Sequence, residues 1–234
     1  MKVLKFKIRG NVNSFRYNDY KKYHPTYLTP PKTTIIGMIA NLLQKGEKEL
    51  YKLYEDFKIS IVIKKLEGQF TDLWGYQQFS GGKTRGRSVV RRDKLYKMEL
   101  QVYLASSDKL MEEIEHVLKF PPNVFSLGMD DELVSIEDVK TIVLDKIETK
   151  NIDSIFVNKN FNTFLSEENK QMIYPREITQ AIDFTYPFDK KGKRIQRKAS
   201  ETIGLIEYYN CKVEFISSES AYYDKDDGLY LEFF

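Results

Sequence analysis

The sequence predicts an α+β protein with a ferredoxin-like βαββαβ domain over residues 1–147 and a small β-rich region over residues 148–234. Strand-like alternation and helix-like spacing follow one another in the order β, α, β, β, α, β along the first part of the chain. The pair Gly81-Gly82 separates two long β-compatible arms, which predicts an extended hairpin between the second and third of these strands. In such a domain, a four-stranded antiparallel sheet carries two helices on one face.

The first strand is predicted over residues 2–9, where Leu4, Phe6 and Ile8 alternate with basic residues. Pro31 favours the start of a helix, and apolar residues at helical spacing extend this helix to about residue 44. The next elements are predicted, in order, as a helix over 47–57, a strand over 59–63, a strand over 100–104, a helix from Ser106 or Ser107 to residue 119, and strands over 134–136 and 141–147.

The C-terminal region contains short β-compatible runs separated by polar segments. They lie over residues 172–178, 182–188, 203–209, 213–217 and 229–234. The sequence has no repeat and no low-complexity linker between the two parts. We therefore expect the C-terminal region to pack on the first domain.

Composition excludes several classes of protein. The chain has 234 residues, 41% of them hydrophobic, and its apolar runs are shorter than a membrane span needs. The first residues alternate, which predicts no secretory leader, and the single cysteine, Cys211, favours a reducing cytoplasm. With two histidines and one cysteine we expect no metal and no cofactor, and Asp130, Asp131 and Glu132 are interpreted as solvated or capping carboxylates.

Residues 68–97, called here the basic hairpin, combine positive charge with aromatic rings. The net charge of the chain is only +3, so any polyanion must bind to a local concentration of basic residues. From Tyr76 onward Asp93 is the one acid of this segment, and Trp74, Tyr76 and Phe79 precede the cations. The cations are Lys83, Arg85, Arg87, Arg91, Arg92, Lys94 and Lys97. Cations bind phosphates, and aromatic rings can stack on unpaired bases. This combination therefore predicts binding of single-stranded RNA.

A second run of cations lies in the C-terminal region. It comprises Lys190, Lys191, Lys193, Arg194, Arg197 and Lys198, without an acid among them. A solvated loop explains such a run equally well when it stands alone. Two such runs in a nearly neutral chain favour one shared polyanion.

Two features of the sequence are similar to catalytic sites. Gly82-Lys83-Thr84 is similar to the end of a phosphate-binding P-loop, but the required earlier glycine is Gln77, and the residues that follow are poor helix formers. This excludes nucleotide hydrolysis by a P-loop. His24, in a tyrosine-rich loop, is a candidate base for RNA cleavage, with a surface histidine as the simpler interpretation; His116 is interpreted as structural.

Three segments carry a resemblance to a known family. The first runs from Gly10 to Arg16, with a Phe-Arg pair at its end, and the second, over residues 27–40, contains Pro31-Lys32-Thr33-Thr34-Ile35 and then Gly37. A third, Phe125-Ser126-Leu127-Gly128, precedes the acidic residues at 130–132. Together they resemble the fifth CRISPR-associated (Cas) family, the RAMP-type subunit of type I Cascade complexes, with most similarity to its I-B-like branches.

The resemblance implies a ferredoxin-like domain with a protruding thumb at the position of the basic hairpin. It also implies a cytoplasmic, non-catalytic subunit that caps the 5′ handle of the CRISPR RNA and contacts the backbone and large subunits of Cascade. Target DNA in the assembled complex is a further candidate partner. The predicted RNA contacts are Arg9, Asn11, Arg16, Tyr27, Lys32, Trp74, Lys83, Arg85, Arg87, Arg91, Arg92, Lys193 and Arg194.

One branch of the family, subtype I-C, is implied to cleave precursor RNA with a tyrosine, a lysine and a histidine. Tyr27 lies near the position of that tyrosine, but no histidine follows the hairpin between Phe79 and Glu115. We therefore expect no catalysis; the alternative is a metal-independent endoribonuclease that uses Tyr27, His24 and Lys83. A third alternative is a general single-strand RNA-binding module outside CRISPR systems.

Overall fold

A computed structural model describes residues 1–16, 22–46, 49–157, 176–180, 201–209 and 212–234 of the chain. Its helices are α1 (Lys32–Leu42), α2 (Leu50–Asp56) and α3 (Asp108–Lys119). Its strands are β1 (Lys2–Asn13), β2 (Tyr23–His24), β3 (Lys58–Ser80), β4 (Lys83–Ala105), β5 (Val134–Val143), β6 (Asp145–Ile152), β7 (Phe156–Val157), β8 (Arg176–Gln180), β9 (Glu201–Ile206), β10 (Val213–Asp224) and β11 (Leu229–Leu231).

The main sheet contains four long strands in the order β3-β4-β1-β5, and each neighbouring pair is antiparallel. β1 pairs with β4 as far as Leu95, where β1 ends at Asn13. The short strand β2 then lies beside Arg91 and Arg92 of β4, in parallel orientation. β1 and β2 therefore lie along the same edge of β4, with β1 beside its inner part and β2 beside its outer part.

The helices cover one face of the main sheet. Leu4, Phe6 and Ile8 alternate along β1, are fully buried, and share one core cluster with Ile35 and Ile39 of α1. Residues of α2 and α3 belong to the same cluster. The period-2 pattern of the strand and the helical spacing of α1 therefore meet in one hydrophobic core, as the sequence predicts.

The C-terminal strands cover the opposite face of the sheet. Val3, Tyr103 and Leu231 share a second core cluster there. The Nζ atom of Lys5 lies 2.5 Å from the Asp224 carboxylate, and the Tyr103 hydroxyl donates to the same carboxylate at 2.7 Å. Both charged groups are almost completely buried, so the ion pair fixes the end of β10 on the main sheet.

The end of the chain also extends the main sheet. The backbone of Phe234 exchanges two hydrogen bonds with Ile59 of β3, at 2.9 and 3.1 Å, and the Ile155 N–H donates to the Ile61 carbonyl at 2.9 Å. These contacts cover the inner part of the β3 edge, which would otherwise present unpaired backbone groups.

Two smaller sheets have the orders β11-β10-β6 and β7-β9-β8. The predicted strands over 134–136 and 141–147 differ from those observed, because β5 runs without a break from Val134 to Val143 and β6 begins at Asp145. The predicted strand over 182–188, Cys211, and the second basic run with Lys193 and Arg194 lie outside the described residues. No helix within the described ranges is long and apolar enough to cross a membrane.

Candidate nucleic-acid interface

The basic hairpin extends beyond the main sheet. β3 and β4 pair over their full lengths, from Lys58 opposite Ala105 to Ser80 opposite Lys83. Residues 83–94 of β4 continue past the last pair with β1, which corresponds to roughly 40 Å of extended strand. Gly81 and Gly82 close the hairpin with φ angles of 60° and 74°, which glycine adopts without strain.

Four cations of this hairpin lie in solvent, namely Lys83, Arg85, Arg87 and Arg91. None of them forms an ion pair within 4 Å of a carboxylate among the residues that the structure describes. Their charge is therefore available to an external anion. They are spread along the outer part of one strand, and a row of positive charge of this kind can follow the backbone of a single-stranded nucleic acid.

The other three cations have partners within the protein. A guanidinium nitrogen of Arg92 lies 3.0 Å from the Asp72 carboxylate, and this ion pair lowers the pKa of that carboxyl group. The guanidinium carbon of Arg92 lies 4.7 Å from the centre of the Trp74 ring. Lys94 and Lys97 pair with carboxylates at 2.8 and 3.1 Å. The buried guanidinium of Arg92 already has an acidic and an aromatic partner, so its RNA contact stays a prediction that this packing does not favour.

Aromatic rings lie on the same face of the hairpin as Arg92. The rings of Trp74 and Tyr76 are 6.1 Å apart between centroids and inclined by 35°, and both keep more than a third of their surface exposed. Phe79, near the turn, is two-thirds exposed. Arg92 packs against Trp74, so this ring is held in place while part of its surface remains open for stacking.

The loop before α1 is attached to the base of the hairpin. The Tyr23 hydroxyl and the Thr71 hydroxyl both donate hydrogen bonds to the Asp93 carboxylate, the latter at 2.9 Å. His24 is half-buried beside Arg92, and burial together with the charges of Arg16 and Arg92 lowers its pKa. Both effects favour the neutral imidazole of His24 over its charged form.

A buried carboxylate that the sequence analysis missed joins three segments beneath the hairpin. Glu132 accepts hydrogen bonds from the Ser14 N–H at 2.7 Å, the Ser14 hydroxyl at 2.6 Å and the Met129 N–H at 3.1 Å. It also accepts one from Lys94 at 2.8 Å. Gly128 has a φ of 110°, and a Cβ atom there would collide with Glu132. Glu132 is thus a structural anchor, and the expected solvated or capping role is wrong for this residue.

The glycine-ended loop presents fewer RNA contacts than predicted. Arg9 forms ion pairs with Glu99 and Glu137, both at 2.9 Å, so its charge is already neutralised and its predicted RNA contact is not supported. Asn11 and Arg16 are exposed. The backbone of Arg16 bridges to Thr26, which closes the loop at the base of β2.

Two predicted RNA contacts are buried. Tyr27 belongs to the main core, with 4% of its surface exposed, and Lys32 is 7% exposed with its Nζ atom 4.5 Å from the centre of the Tyr54 ring. Burial, with a smaller contribution from Lys58, lowers the pKa of Lys32 to about 8. Both side chains are therefore buried in this structure, and their RNA contacts stay predictions that this burial does not favour.

The residues proposed for the alternative ribonuclease do not come together. Tyr27 lies in the core, His24 lies beside Arg92, and Lys83 lies at the end of the hairpin. Arg92 and Lys83 are nine positions apart on the same strand, a distance of roughly 30 Å. General acid–base catalysis requires groups within hydrogen-bonding reach of one substrate atom, so these three residues do not form an active site in this structure.

The C-terminal region fixes the segment between β2 and α1. The buried Glu207 carboxylate accepts hydrogen bonds from the Thr29 N–H at 2.8 Å, the Thr29 hydroxyl at 2.7 Å and the Leu28 N–H at 3.2 Å. No sequence pattern connects these positions, which are 178 residues apart at Thr29. The segment before α1 is therefore held at Tyr23 by the hairpin and at Thr29 by the C-terminal region.

Comparison with known families assigns the chain. Residues 3–200 match the family model described as "CRISPR-associated protein (Cas_Cas5)". The chain belongs to the Cas5 family. The prediction made from the Gly10–Arg16 and Pro31–Gly37 segments is thereby confirmed. Comparison with curated proteins found no match.

Solved structures support the Cas5 fold. The chain is similar to "Crystal structure of a CRISPR protein from Archaeoglobus fulgidus", with a TM-score of 0.56 and 14% identity over 99% of this chain and 98% of that chain. A chain of a "CRISPR RNA-guided surveillance complex" gives 0.54 and 14% over 91% of each chain. A chain of "Cryo-EM structure of the Type III-B Cmr-beta bound to cognate target RNA" gives 0.53 and 11% over 90% and 86%, respectively. These similarities show a mixed α+β fold of this family.

Proposed function

We propose that this Cas5 protein is a non-catalytic RNA-binding subunit of a type I CRISPR surveillance complex and that it holds the 5′ handle of the CRISPR RNA. The observation that carries the proposal is a row of four exposed cations on the hairpin, Lys83, Arg85, Arg87 and Arg91, which have no acidic partner among the residues that the structure describes. Phosphates are attracted to such a row, and the rings of Trp74 and Tyr76 offer stacking surfaces for unpaired bases.

We infer that the core is the ferredoxin-like arrangement. In support, the long strands have the order β3-β4-β1-β5 with antiparallel neighbours, and the connections from β1 to β3 and from β4 to β5 contain helices. Under this interpretation the basic hairpin is an extension of the second and third strands of the fold. The fold itself does not specify RNA, so the functional argument rests on the side chains of the hairpin.

The proposed partners follow from the family. One solved relative of similar fold is a chain of an RNA-guided surveillance complex. We propose that this protein occupies the end of such a complex in the cytoplasm, in contact with the backbone and large subunits and, in the assembled complex, close to target DNA. The second basic run, with Lys193 and Arg194, remains a candidate for RNA contact.

The absence of catalysis is tested by incubating the pure protein with precursor repeat RNA in EDTA. We expect intact RNA, with the same result for His24→Ala. Cleavage at one site by the wild-type protein, lost in His24→Ala, would contradict the proposal and support the endoribonuclease alternative. Binding is then compared between the repeat-derived handle and a scrambled RNA of equal length, because equal affinity would support a general RNA-binding module instead.

A further inference from the structure

Lys32, the first residue of α1, is a buried cation without an acidic partner. Its side chain is 7% exposed. The two other buried lysines of the described chain, Lys5 and Lys94, each pair with a buried carboxylate, at 2.5 and 2.8 Å. Among the residues that the structure describes, no carboxylate forms such a pair with Lys32. Lysine is rarely buried without a counter-charge, so Lys32 is the exception in this fold.

The Lys32 amine packs on an aromatic ring and lies near a second cation. Its Nζ atom is 4.5 Å from the centre of the Tyr54 ring, on α2. The face of a ring attracts a cation but does not supply the full negative charge of a carboxylate. The positive charge of Lys58, at the start of β3, acts on the same amine. Burial, which is the larger effect, and the Lys58 charge both lower the pKa of Lys32, and so favour its neutral amine.

The side chains around the Lys32 amine reach the surface. Lys58 is exposed, Tyr54 is half-buried, and Pro31 and Thr33, on either side of Lys32 in the chain, are half-buried as well. The layer of protein over the amine is therefore thin and consists of side chains that contact solvent. A small molecule can reach the amine by displacing one of these side chains, whereas a folded protein cannot.

A neutral lysine amine is a nucleophile, because its nitrogen keeps a free lone pair. Burial in an apolar site and a neighbouring cation are two ways in which proteins activate lysine, and both act on Lys32. We propose that Lys32 is a site of covalent acylation by small acyl phosphates, of which acetyl phosphate is the simplest. The Nζ lone pair attacks the carbonyl carbon, a C–N bond forms, and the C–O bond to the phosphate breaks. The phosphate leaves with the electron pair of that bond and takes up the proton that the nitrogen loses.

The product suits this site better than the ammonium form of Lys32 does. An acetylated lysine is uncharged, so the reaction removes a buried charge that has no acidic partner in the described part of the chain. Burial of an unpaired charge is costly for a folded protein. No residue of the basic hairpin takes part, so this inference stands apart from the proposed RNA-binding function.

The test is acetylation of the full chain by acetyl phosphate, followed over time by mass spectrometry of its proteolytic peptides. Lys109, which is exposed on α3, is the internal control in the same molecules. The rate constants at the two lysines are compared in the native protein over a range of pH, and again in urea.

We expect acetylation of Lys32 to be faster than that of Lys109 in the native protein. At about pH 7 a pKa of about 8 gives a neutral fraction roughly 200-fold larger than that of an ordinary lysine, whose pKa is about 10.4. A lower intrinsic nucleophilicity and restricted access offset part of this advantage, so the expected ratio of rate constants is about tenfold. The rate at Lys32 should level off above about pH 9, where its amine is fully neutral. In urea the advantage should disappear, because the burial of Lys32 is lost.

Three results would overturn the proposal. The first is an equal or lower rate constant at Lys32 than at Lys109 in the native protein, and the second is no acetylation of Lys32. The third is an advantage of Lys32 that persists in urea, because the neighbours of Lys32 in the sequence, and not the fold, would then activate its amine.

Discussion

The hairpin cations provide the most direct quantitative prediction, because the structure separates free from paired charges. Lys83, Arg85, Arg87 and Arg91 have no acidic partner among the described residues, so each is available to one phosphate. For single-stranded nucleic acid, the logarithm of the binding constant falls with the logarithm of salt concentration by about 0.7 for each phosphate neutralised. Replacing all four by alanine should therefore reduce this slope by about 2.8.

The same figure can be expressed as a change in affinity. Between about 50 mM and about 200 mM salt, the wild-type protein should lose roughly 50-fold more affinity for the handle RNA than the quadruple variant. The assay is fluorescence anisotropy of the labelled RNA at five salt concentrations. All four side chains are exposed, so the melting temperature should change little.

A second quadruple variant controls for net charge. It removes four exposed lysines that each have an acidic partner, and these are Lys2, Lys119, Lys140 and Lys225. Both variants lower the net charge of the protein by four. If the position of the cations on the hairpin decides RNA binding, the control variant should keep the wild-type salt dependence. Equal slopes for the two variants would refute the reasoning, because the RNA would then respond only to overall charge.

Two further predictions concern the buried ion pairs. Lys94→Met leaves the buried Glu132 carboxylate without its cation, so it should lower the free energy of unfolding, measured in urea, by about 3–5 kcal/mol. Lys97→Met removes a cation from an exposed ion pair and should lower it by less than about 1 kcal/mol. Equal losses in the two variants would contradict this prediction. Burial acts to raise the pKa of Asp224, but hydrogen bonds from Lys5 and Tyr103 outweigh it and lower the pKa. The stabilisation is thus complete above about pH 4 and is lost as pH falls below that, so acid should lower the melting temperature less in Asp224→Asn than in wild type. An identical decline in both proteins would rule out this contribution.

The α+β class and most elements of the first half follow from the sequence. The alternation of Leu4, Phe6 and Ile8 and the apolar spacing of Ile35 and Ile39 are local patterns, and local patterns fix which face is buried. The helices α1 and α3 begin within two residues of their predicted starts. β2 was missed because two residues carry no periodicity, and its position is decided by Asp93 on another strand.

The candidate site was predicted less completely. The concentration of basic residues and the Gly81-Gly82 pair locate the hairpin, but they do not show which of its cations are exposed and which are buried. A period-2 analysis would have placed Arg92 and Lys94 on the same face as the buried Val90, which is an available sign that these two point inward. Burial of Tyr27 and Lys32 had no such sign, because it depends on how the loop before α1 packs on distant elements.

The two buried carboxylates illustrate what one sequence cannot provide. Glu132 stands at the end of an acidic run, and Glu207 stands among short β-compatible segments, so neither differs locally from a solvated residue. Their partners are 118 residues away at Ser14 and 178 residues away at Thr29. Such contacts depend on the tertiary fold, and they hold the loops that flank the hairpin.

The central claim is that this protein holds the 5′ end of CRISPR RNA within a surveillance complex. The most direct test is to purify the tagged chain from its native cells and to sequence the RNA bound to it. We predict RNAs that begin with one common repeat-derived segment, followed by different spacers, and a loss of this RNA when the four hairpin cations are replaced. Recovery of the folded protein without RNA, or with RNAs unrelated to CRISPR repeats, would contradict the claim.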